Sequence, residues 1–390
     1  MVRFLAICLG CLFAITMIAG DASAGSTPDS NQYAVTFQID LAHDGNVTLV
    51  NSFSPPLKKI WTKASKGYIF SYPLIAEGKV FFTGTDPSGT FGVVYALDLK
   101  TGQTIWSKTL PNVDDPGYPQ PGYDNGELFV TDGNAFLYAY TAKTGRQKWF
   151  TWLNENWSNA GPIATNGLVY ATGYGEGGTL TALNETTGAV AWQANVANGD
   201  GSIPAYGNSG VFVTYPCNDT KFDPATGHVI WRTGSGDSVD GHTPVLFNND
   251  LYVEDPNGNG CGNRILDAQS GNVVTGTYQA VQTPALFQGT NGDTVEVYTG
   301  TDYGLNCLDT KTNTLLWSFT PSQEVNASPI IINGTIFAGS VTGALFALDE
   351  SGNELWSTNT SIGESRYLNE GQGTLIAVGY NGIAAFVPRH

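Results

Sequence analysis

The sequence predicts an all-β fold: an eight-bladed β-propeller of four-stranded antiparallel blades, closed by pairing an N-terminal outer strand with the C-terminal blade. Two observations lead there. The chain is rich in glycine (48 residues) and aromatic residues (12%) and poor in charged residues (13%), which favours short strands joined by tight turns over helices. In addition, one short motif returns at even spacing along most of the chain, which is typical of repeat architectures.

The repeat has the form Ala-x-Asp-x-x-Thr-Gly-x-x-x-Trp, with substitutions. It occurs at residues 96–106, 139–149, 182–192, 221–231, 265–275, 307–317 and 347–356. With an upstream tryptophan added, the anchor positions are 61, 106, 149, 192, 231, 275, 317 and 356, so 39 to 45 residues separate neighbours. This period fits one four-stranded propeller blade. The anchors are Trp61, Trp106, Trp149, Trp192, Trp231, Trp317 and Trp356, and Thr275 replaces tryptophan in the fifth unit.

The number of blades depends on strand-like segments at both ends of the chain. Beyond Trp356 the segments 367–369, 374–378 and 383–387 look like three strands of a blade that lacks its outer strand. Residues 57–61 look like an outer strand without a blade. Pairing the two would close the ring and remove both sheet edges, which makes eight blades. Alternating apolar residues from Tyr33 to Leu41 predict one further strand, placed outside the ring.

The ordered repeat resembles the tryptophan-docking motif of the pyrroloquinoline-quinone (PQQ)-like propeller family, and the resemblance covers residues 57–390. It implies that each indole packs near the turn glycine of the next blade. The family contains PQQ- and calcium-dependent quinoprotein dehydrogenases, which oxidise alcohols or sugars, and non-catalytic propellers such as outer-membrane assembly scaffolds. The adjacent Cys-Cys pair of many of these dehydrogenases and the Cys-x-x-Cys-His haem motif are both absent. We therefore expect a non-catalytic binding or scaffold protein without a cofactor, and a quinoprotein dehydrogenase is the alternative.

The N-terminus predicts export. Residues 1–3 form a short start with the basic Arg3, residues 4–20 form an uncharged apolar run, and Ala22-Ser-Ala24 is a small-residue cleavage pattern. We expect a signal peptide over residues 1–24, an N-terminal extension with one or two extra strands over 25–56, and the propeller over 57–390. The protein would then be secreted or extracytoplasmic. Its net charge of −17 disfavours nucleic acid and anionic membranes as partners, and no membrane span is expected in what we take to be a monomer.

Cysteine positions predict one disulfide. Cys217 and Cys261 each stand nine residues before the Thr or Ser of their turn motif, so they occupy equivalent places in adjacent blades. Export permits a disulfide between them. It would lie next to the blade whose anchor is Thr275, and we expect it to compensate for the missing tryptophan. Cys307 stands where other units carry alanine, which indicates a small buried thiol. The four histidines are far apart and predict no metal site.

A ligand would bind where the inner strands begin, because these strands line the axial channel. A proline marks most of these starts, as expected for the first residue of a strand, and Pro121 is the candidate in the second blade. The residues just before these prolines should ring one mouth of the channel. They are mostly polar and acidic and could hold a cation, a sugar or a basic peptide. The candidates are Tyr118, Trp157, Asp200, Asp240, His242, Gln282, Asn326, Glu364 and Arg366.

Seven Asn-x-Ser/Thr sequons are candidate surface glycosylation sites. They begin at Asn46, Asn156, Asn184, Asn218, Asn326, Asn333 and Asn359. Their number is close to chance for this composition, so they say nothing about the host.

Overall fold

A computed structural model describes residues 32–389, except 111–117, 156, 159, 174–177, 197–200, 235–240, 256–260 and 276–281. The described residues form strands and turns without a helix, so none of them lies in a helix that could cross a membrane. Eight antiparallel sheets follow one another around a ring. The predicted eight-bladed propeller is confirmed.

Each blade runs from an inner to an outer strand. Blade 1 consists of Leu74–Ala76, Lys79–Thr85, Gly92–Asp98 and Thr104–Thr109, and blade 2 of Gln120–Asp124, Glu127–Thr131, Phe136–Thr141 and Gln147–Trp152. Blade 3 consists of Ile163–Thr165, Leu168–Gly173, Thr179–Asn184 and Val190–Asn195, and blade 4 of Ala205–Gly207, Gly210–Tyr215, Asn218–Phe222 and Val229–Thr233. Blade 5 consists of Val245–Phe247, Asp250–Val253, Arg264–Asp267 and Val273–Thr275. Blade 6 consists of Ala285–Gln288, Thr294–Thr299, Leu305–Asp309 and Thr314–Phe319. Blade 7 consists of Ile330–Ile332, Thr335–Gly339, Ala344–Leu348 and Glu354–Asn359. Ile69–Phe70 adds a short strand to blade 1.

Blade 8 closes the ring as the chain ends predict. Its three C-terminal strands are Ser365–Gly371, Thr374–Gly379 and Gly382–Pro388, and Leu57–Ala64 pairs with the last of them as the outer strand. In that pairing Trp61 stands opposite Ala385. Because the outer strand comes from the other end of the chain, the ring cannot open without breaking this sheet.

The tryptophan anchors join neighbouring blades in the manner that the family resemblance implies. The indole Nε1 of Trp106 donates to the carbonyl oxygen of Ala142 (3.0 Å), and that of Trp149 donates to Glu185 O (2.8 Å). Trp61, Trp192, Trp231 and Trp317 make the same bond to the next blade. Each of these six rings also covers the turn glycine of that blade. A Cβ added to Gly145 would stand 2.6 Å from Trp106 Cε3, so only glycine fits there.

The aspartate of the motif builds the turn that receives the indole. Asp98 Oδ1 accepts the backbone N–H of Thr101 (2.8 Å) and the Thr101 hydroxyl (2.8 Å). Gly102 follows with φ 68°, a conformation that glycine adopts without steric cost. In the sixth unit Asn313 holds this position with φ 55°. The turn is therefore specified locally, which explains why the motif is legible in the sequence.

The disulfide between Cys217 and Cys261 is present, with 5.5 Å between the two Cα atoms. It links blades 4 and 5, an interface that also contains the docked Trp231 and an ion pair from Arg264 to the buried Asp219 (2.8 Å). The missing anchor belongs to another interface, because Thr275 lies on the outer strand of blade 5 and faces blade 6. The expectation that the disulfide compensates for Thr275 is wrong for this reason. Cys307 is buried and unpaired, as predicted.

The N-terminal extension contradicts its prediction. Tyr33 to Leu41 does not form a strand outside the ring; residues 32–47 instead run through the axial channel along the inner strands. Successive residues of this segment, which we call the plug, hydrogen-bond to the inner strands of seven blades; the backbone partners are Gln372, Ile75, Tyr123, Tyr206, Leu246, Leu286 and Ile331. Only Asn46–Val47 forms a strand, parallel to Ile330–Ile332. Inner strands have an unpaired edge, and the plug supplies the missing partners.

Side chains of the plug complete this sealing of the channel. Gln38 Nε2 lies 3.2 Å from Pro329 O and 3.3 Å from Thr283 O, and His43 Nε2 lies 3.0 Å from Pro204 O. Asn369 of blade 8 donates to Thr36 O (2.9 Å) and Pro73 O (2.7 Å). Backbone carbonyl groups at the starts of the inner strands therefore point to the axis, where polar side chains contact them.

Candidate functional site

The mouth of the channel is the end opposite the hairpins that the plug backbone reaches. The plug reaches Asn333 and Gln372, which lie in the hairpins after the inner strands, whereas the predicted ligand residues precede those strands. The two groups therefore lie at opposite ends of the ring. In the second blade Gly122 pairs with Phe129, just as Leu74 pairs with Phe81 in the first. Pro121, the residue before Gly122, therefore occupies the proline position of the second blade.

A set of threonines ties the blades together around the mouth. Each lies in the last three residues of the second strand of its blade, two residues after a buried strand residue. Its hydroxyl donates to a backbone carbonyl just before the next inner strand. Thr131 donates to Ala160 O (2.7 Å), and Thr172 donates to Ser202 O (2.8 Å). Thr83, Thr214 and Thr299 make the same bond to Pro119, His242 and Ala327. We call these five residues the threonine ring.

Blade 5 departs from the threonine ring by placing a carboxyl group there. Glu254 stands two residues after Tyr252, just as Thr214 stands two residues after Phe212. Tyr252 and Phe212 each pair with the first residue of the inner strand of their blade. The Glu254 side chain is 6% exposed, and its Oε2 lies 3.9 Å from Nδ1 of His242. Burial raises the pKa of Glu254 to about 8 from an ordinary 4.5. A carboxyl group that is protonated near neutrality can donate a hydrogen bond, as a threonine does.

Two of the predicted mouth residues meet at a pocket. Arg366 and the half-exposed Tyr118 both line a cavity of about 100 Å³ where blades 8, 1 and 2 adjoin. The guanidinium carbon of Arg366 lies 5.0 Å from the ring centroid of Tyr380 and 5.6 Å from that of Tyr367. Such distances are typical of cation–π contacts.

The remaining candidates do not converge on Arg366. Glu364 accepts a hydrogen bond from Asn326 Nδ2 (2.6 Å), and His242 pairs with Glu254 instead. Gln282 is exposed and Trp157 is half-buried. Asp200 and Asp240 lie outside the described residues. Sequence reasoning missed Glu254, although aligning the second strands by their repeat would have shown it opposite the threonines.

An aromatic layer lies in the channel beside the plug. Phe37 of the plug is 5.6 Å from Tyr72 and 6.3 Å from Tyr367, measured between ring centroids, and the two tyrosines are 6.2 Å apart. Their planes cross at 52°, 87° and 81°, so these rings interlock edge to face. They do not form a flat surface on which a planar ring system could lie. Among the described residues, no three His, Cys, Asp or Glu side chains come together in a way that would hold a metal ion.

One of the predicted glycosylation sites is not at the surface, because Asn218 is 7% exposed within a strand. Asn184 and Asn359 are exposed, and Asn46, Asn326 and Asn333 are half-buried. The amide nitrogen of Asn46 donates to Leu286 O (3.0 Å), and Asn156 lies outside the described residues.

Comparison with known proteins places these features in a family. A tetrathionate hydrolase of Acidithiobacillus ferrooxidans is 28% identical over 217 residues, which are 50% of this chain and 39% of that protein. A europium-containing methanol dehydrogenase superposes with a TM-score of 0.72 at 14% identity, covering 91% of both chains. BamB from Moraxella catarrhalis superposes with a TM-score of 0.62 at 17% identity, covering 85% of this chain and 99% of that one. At these identities the two structures show a shared fold.

The family profile described as outer membrane protein assembly factor BamB matches residues 90–200, 176–295 and 220–386. These overlapping segments span most of the chain and follow the blades of the propeller. The chain therefore belongs to this family of PQQ-type repeat propellers.

Proposed function

We propose that the protein is an extracytoplasmic, non-catalytic propeller that binds a partner protein, peptide or sugar at the channel mouth. The observation that carries this proposal is the plug. It occupies the axial channel with the chain's own residues and hydrogen-bonds most of the inner strand edges, so a partner would bind at the mouth, where a pocket lies beside Arg366. The disulfide between Cys217 and Cys261 supports an oxidising compartment.

The arrangement of the mouth argues against the alternative, a PQQ- and calcium-dependent dehydrogenase. Such a cofactor needs a planar bed and several oxygen ligands for its metal ion. Here Phe37, Tyr72 and Tyr367 cross at steep angles. Glu364 is engaged by Asn326, and Glu254 faces His242. The described residues do not fit the group, and we derive no reaction through it.

Site-specific photo-crosslinking in the native host tests the binding proposal. A photoreactive residue in place of Tyr118, which is 49% exposed at the mouth, should capture a discrete partner. The matched control replaces Asn208, in a hairpin at the opposite end of the ring, and should not capture it. Equal crosslinking from both positions would contradict a binding site at the mouth.

An activity assay directly tests the alternative that the protein is a PQQ- and calcium-dependent dehydrogenase. Purified protein is incubated with PQQ, Ca²⁺, an alcohol or aldose and an artificial electron acceptor, and a parallel sample receives tetrathionate. We expect neither dye reduction nor tetrathionate consumption. PQQ-dependent dye reduction would overturn the non-catalytic assignment, as would turnover of tetrathionate.

A further inference from the structure

The pocket beside Arg366 contains a cation that no described carboxylate neutralises. The described residues place no carboxylate within 4.0 Å of this guanidinium, although the chain has a net charge of −17. The nearby Glu364 is held by Asn326. The Tyr367 and Tyr380 rings flank the guanidinium and limit its rotation. An oriented arginine that has no counter-ion among the described residues is suited to receive an anion.

Two buried polar groups in the same pocket also lack hydrogen-bond partners among the described residues. Thr85 is 3% exposed, and its hydroxyl oxygen has no partner. The side-chain oxygen of Gln120 has none either, and rotating that amide by 180° would present its NH₂ group instead. Leaving a buried polar group unpaired costs about 1–3 kcal/mol. A hydroxyl and an amide beside one guanidinium form a set of donors.

We propose that this cavity, the Arg366 pocket, binds a carboxylate group. The guanidinium would donate two parallel hydrogen bonds to the carboxylate oxygens, and Thr85 would donate a further one. A single positive charge suits a monoanion, and a volume of about 100 Å³ accommodates a carboxylate with a few carbon atoms. The inference rests on the proposed binding function and names the chemistry that the mouth recognises. The carboxylate is either a small free acid or the C-terminus of a polypeptide.

Calorimetric titration with three probes tests the proposal: sodium acetate, N-acetyl-alanyl-alanine, and the C-terminal amide of that peptide. We expect saturable binding of both acids and none of the amide. Tighter binding of the peptide acid than of acetate identifies a polypeptide as the source, and equal binding identifies a small acid. If neither acid binds saturably, the proposal is wrong.

Matched variants locate the binding. Arg366→Gln should weaken binding of the acids at least 10-fold, and Thr85→Val should weaken it several-fold. Arg146→Gln removes the same charge from an exposed turn and should have no effect. Unchanged affinity in Arg366→Gln would overturn the assignment; if that variant does not fold, Thr85→Val decides the question. Failure of carboxylate binding with persistent crosslinking from position 118 would refute the pocket alone, whereas PQQ-dependent turnover would refute the proposed function.

Discussion

Thr275 and Asn313 occupy the two halves of one inter-blade contact, and both depart from the repeat. Thr275 stands opposite Ile265 in the strand register, as Trp106 stands opposite Ala96 and Trp317 opposite Cys307. Asn313, in the next blade, holds the turn position that carries a covered glycine in the other six turns. A Cβ at this position would leave no room for an indole, so the interface between blades 5 and 6 has lost both partners of the docking contact.

Restoring both partners should stabilise that interface. We expect Thr275→Trp combined with Asn313→Gly to raise the free energy of unfolding by about 1–2 kcal/mol, because an indole then covers the turn. Thr275→Trp alone should gain less, since the Cβ of Asn313 blocks the ring. Urea unfolding of both single variants and the double variant measures the coupling. Strictly additive effects would show that the two positions do not form one contact.

A methyl group under a docked indole should be costly. Gly145→Ala places a Cβ 2.6 Å from Trp106 Cε3 at φ 63°, and we expect a loss of about 3 kcal/mol in unfolding free energy. Gly167→Ala is the matched control, because its φ is 80° but no atom lies within 4 Å of the added Cβ. That variant should lose only about 1 kcal/mol. Equal losses would mean that the backbone conformation, and not the indole, requires the glycine.

Glu254 should make the protein less stable as the pH rises. Its pKa is about 8 in the folded protein and 4.5 ordinarily, so the folded state holds the proton more tightly than the unfolded state. Its favourable contribution is complete below pH 4.5 and is lost as the pH rises to 8, a change on the order of 4 kcal/mol. Glu254→Thr, which restores the residue of the threonine ring, should therefore stabilise the protein at pH 9 much more than at pH 5.

Thermal or urea unfolding at both pH values checks this, with Glu324→Thr as control because Glu324 is exposed at the same mouth. Other buried carboxyl groups, such as Glu370, are present in both the wild type and the variant. Their pH dependence therefore cancels when the two unfolding free energies are subtracted. A stability gain that is the same at pH 5 and pH 9 would contradict the raised pKa.

The plug should contribute to the stability of the whole ring. Asn369 is fully buried and donates to the plug at Thr36 and to blade 1 at Pro73. Asn369→Asp keeps the shape but turns a carboxylate toward two carbonyl oxygens, and we expect a loss of about 3 kcal/mol or more. Asn272→Asp, in an exposed turn, should be nearly neutral. Limited proteolysis of the Asn369 variant should release the N-terminal segment; continued protection would show that the plug is held by its backbone bonds alone.

Removing the disulfide should lower stability without opening the neighbouring contact. The bridge closes a loop with a sequence separation of 44, for which chain entropy predicts a loss of about 4 kcal/mol. Cys217→Ser combined with Cys261→Ser should show this loss in urea unfolding, and reducing agent should then have no further effect. Non-reducing peptide mapping that finds both thiols free in the wild-type protein would refute the bridge itself.

The blades, their number and the closure of the ring could be read from the sequence because their determinants are local and repeated. Asp98, Thr101 and Gly102 specify a turn within five residues, and this turn, with substitutions, occurs in seven repeats. The cysteine pair and the buried Cys307 were predictable because the repeat assigns each residue a place in its blade.

Only the tertiary structure decided the course of residues 32–47 and the grouping of residues at the mouth. Strand-like alternation from Tyr33 to Leu41 does not show which side is buried, because the polar Thr36 and Gln38 are fully buried whereas Tyr33 and Phe37 are only partly buried. The plug's partners are spread over seven blades. Likewise, the hydrogen bond from Asn326 to Glu364 joins blades 7 and 8. The contacts of Arg366 with Tyr380 and of Glu254 with His242 each lie within one blade, but they depend on how its loops fold at the mouth, so the repeat motif does not specify them.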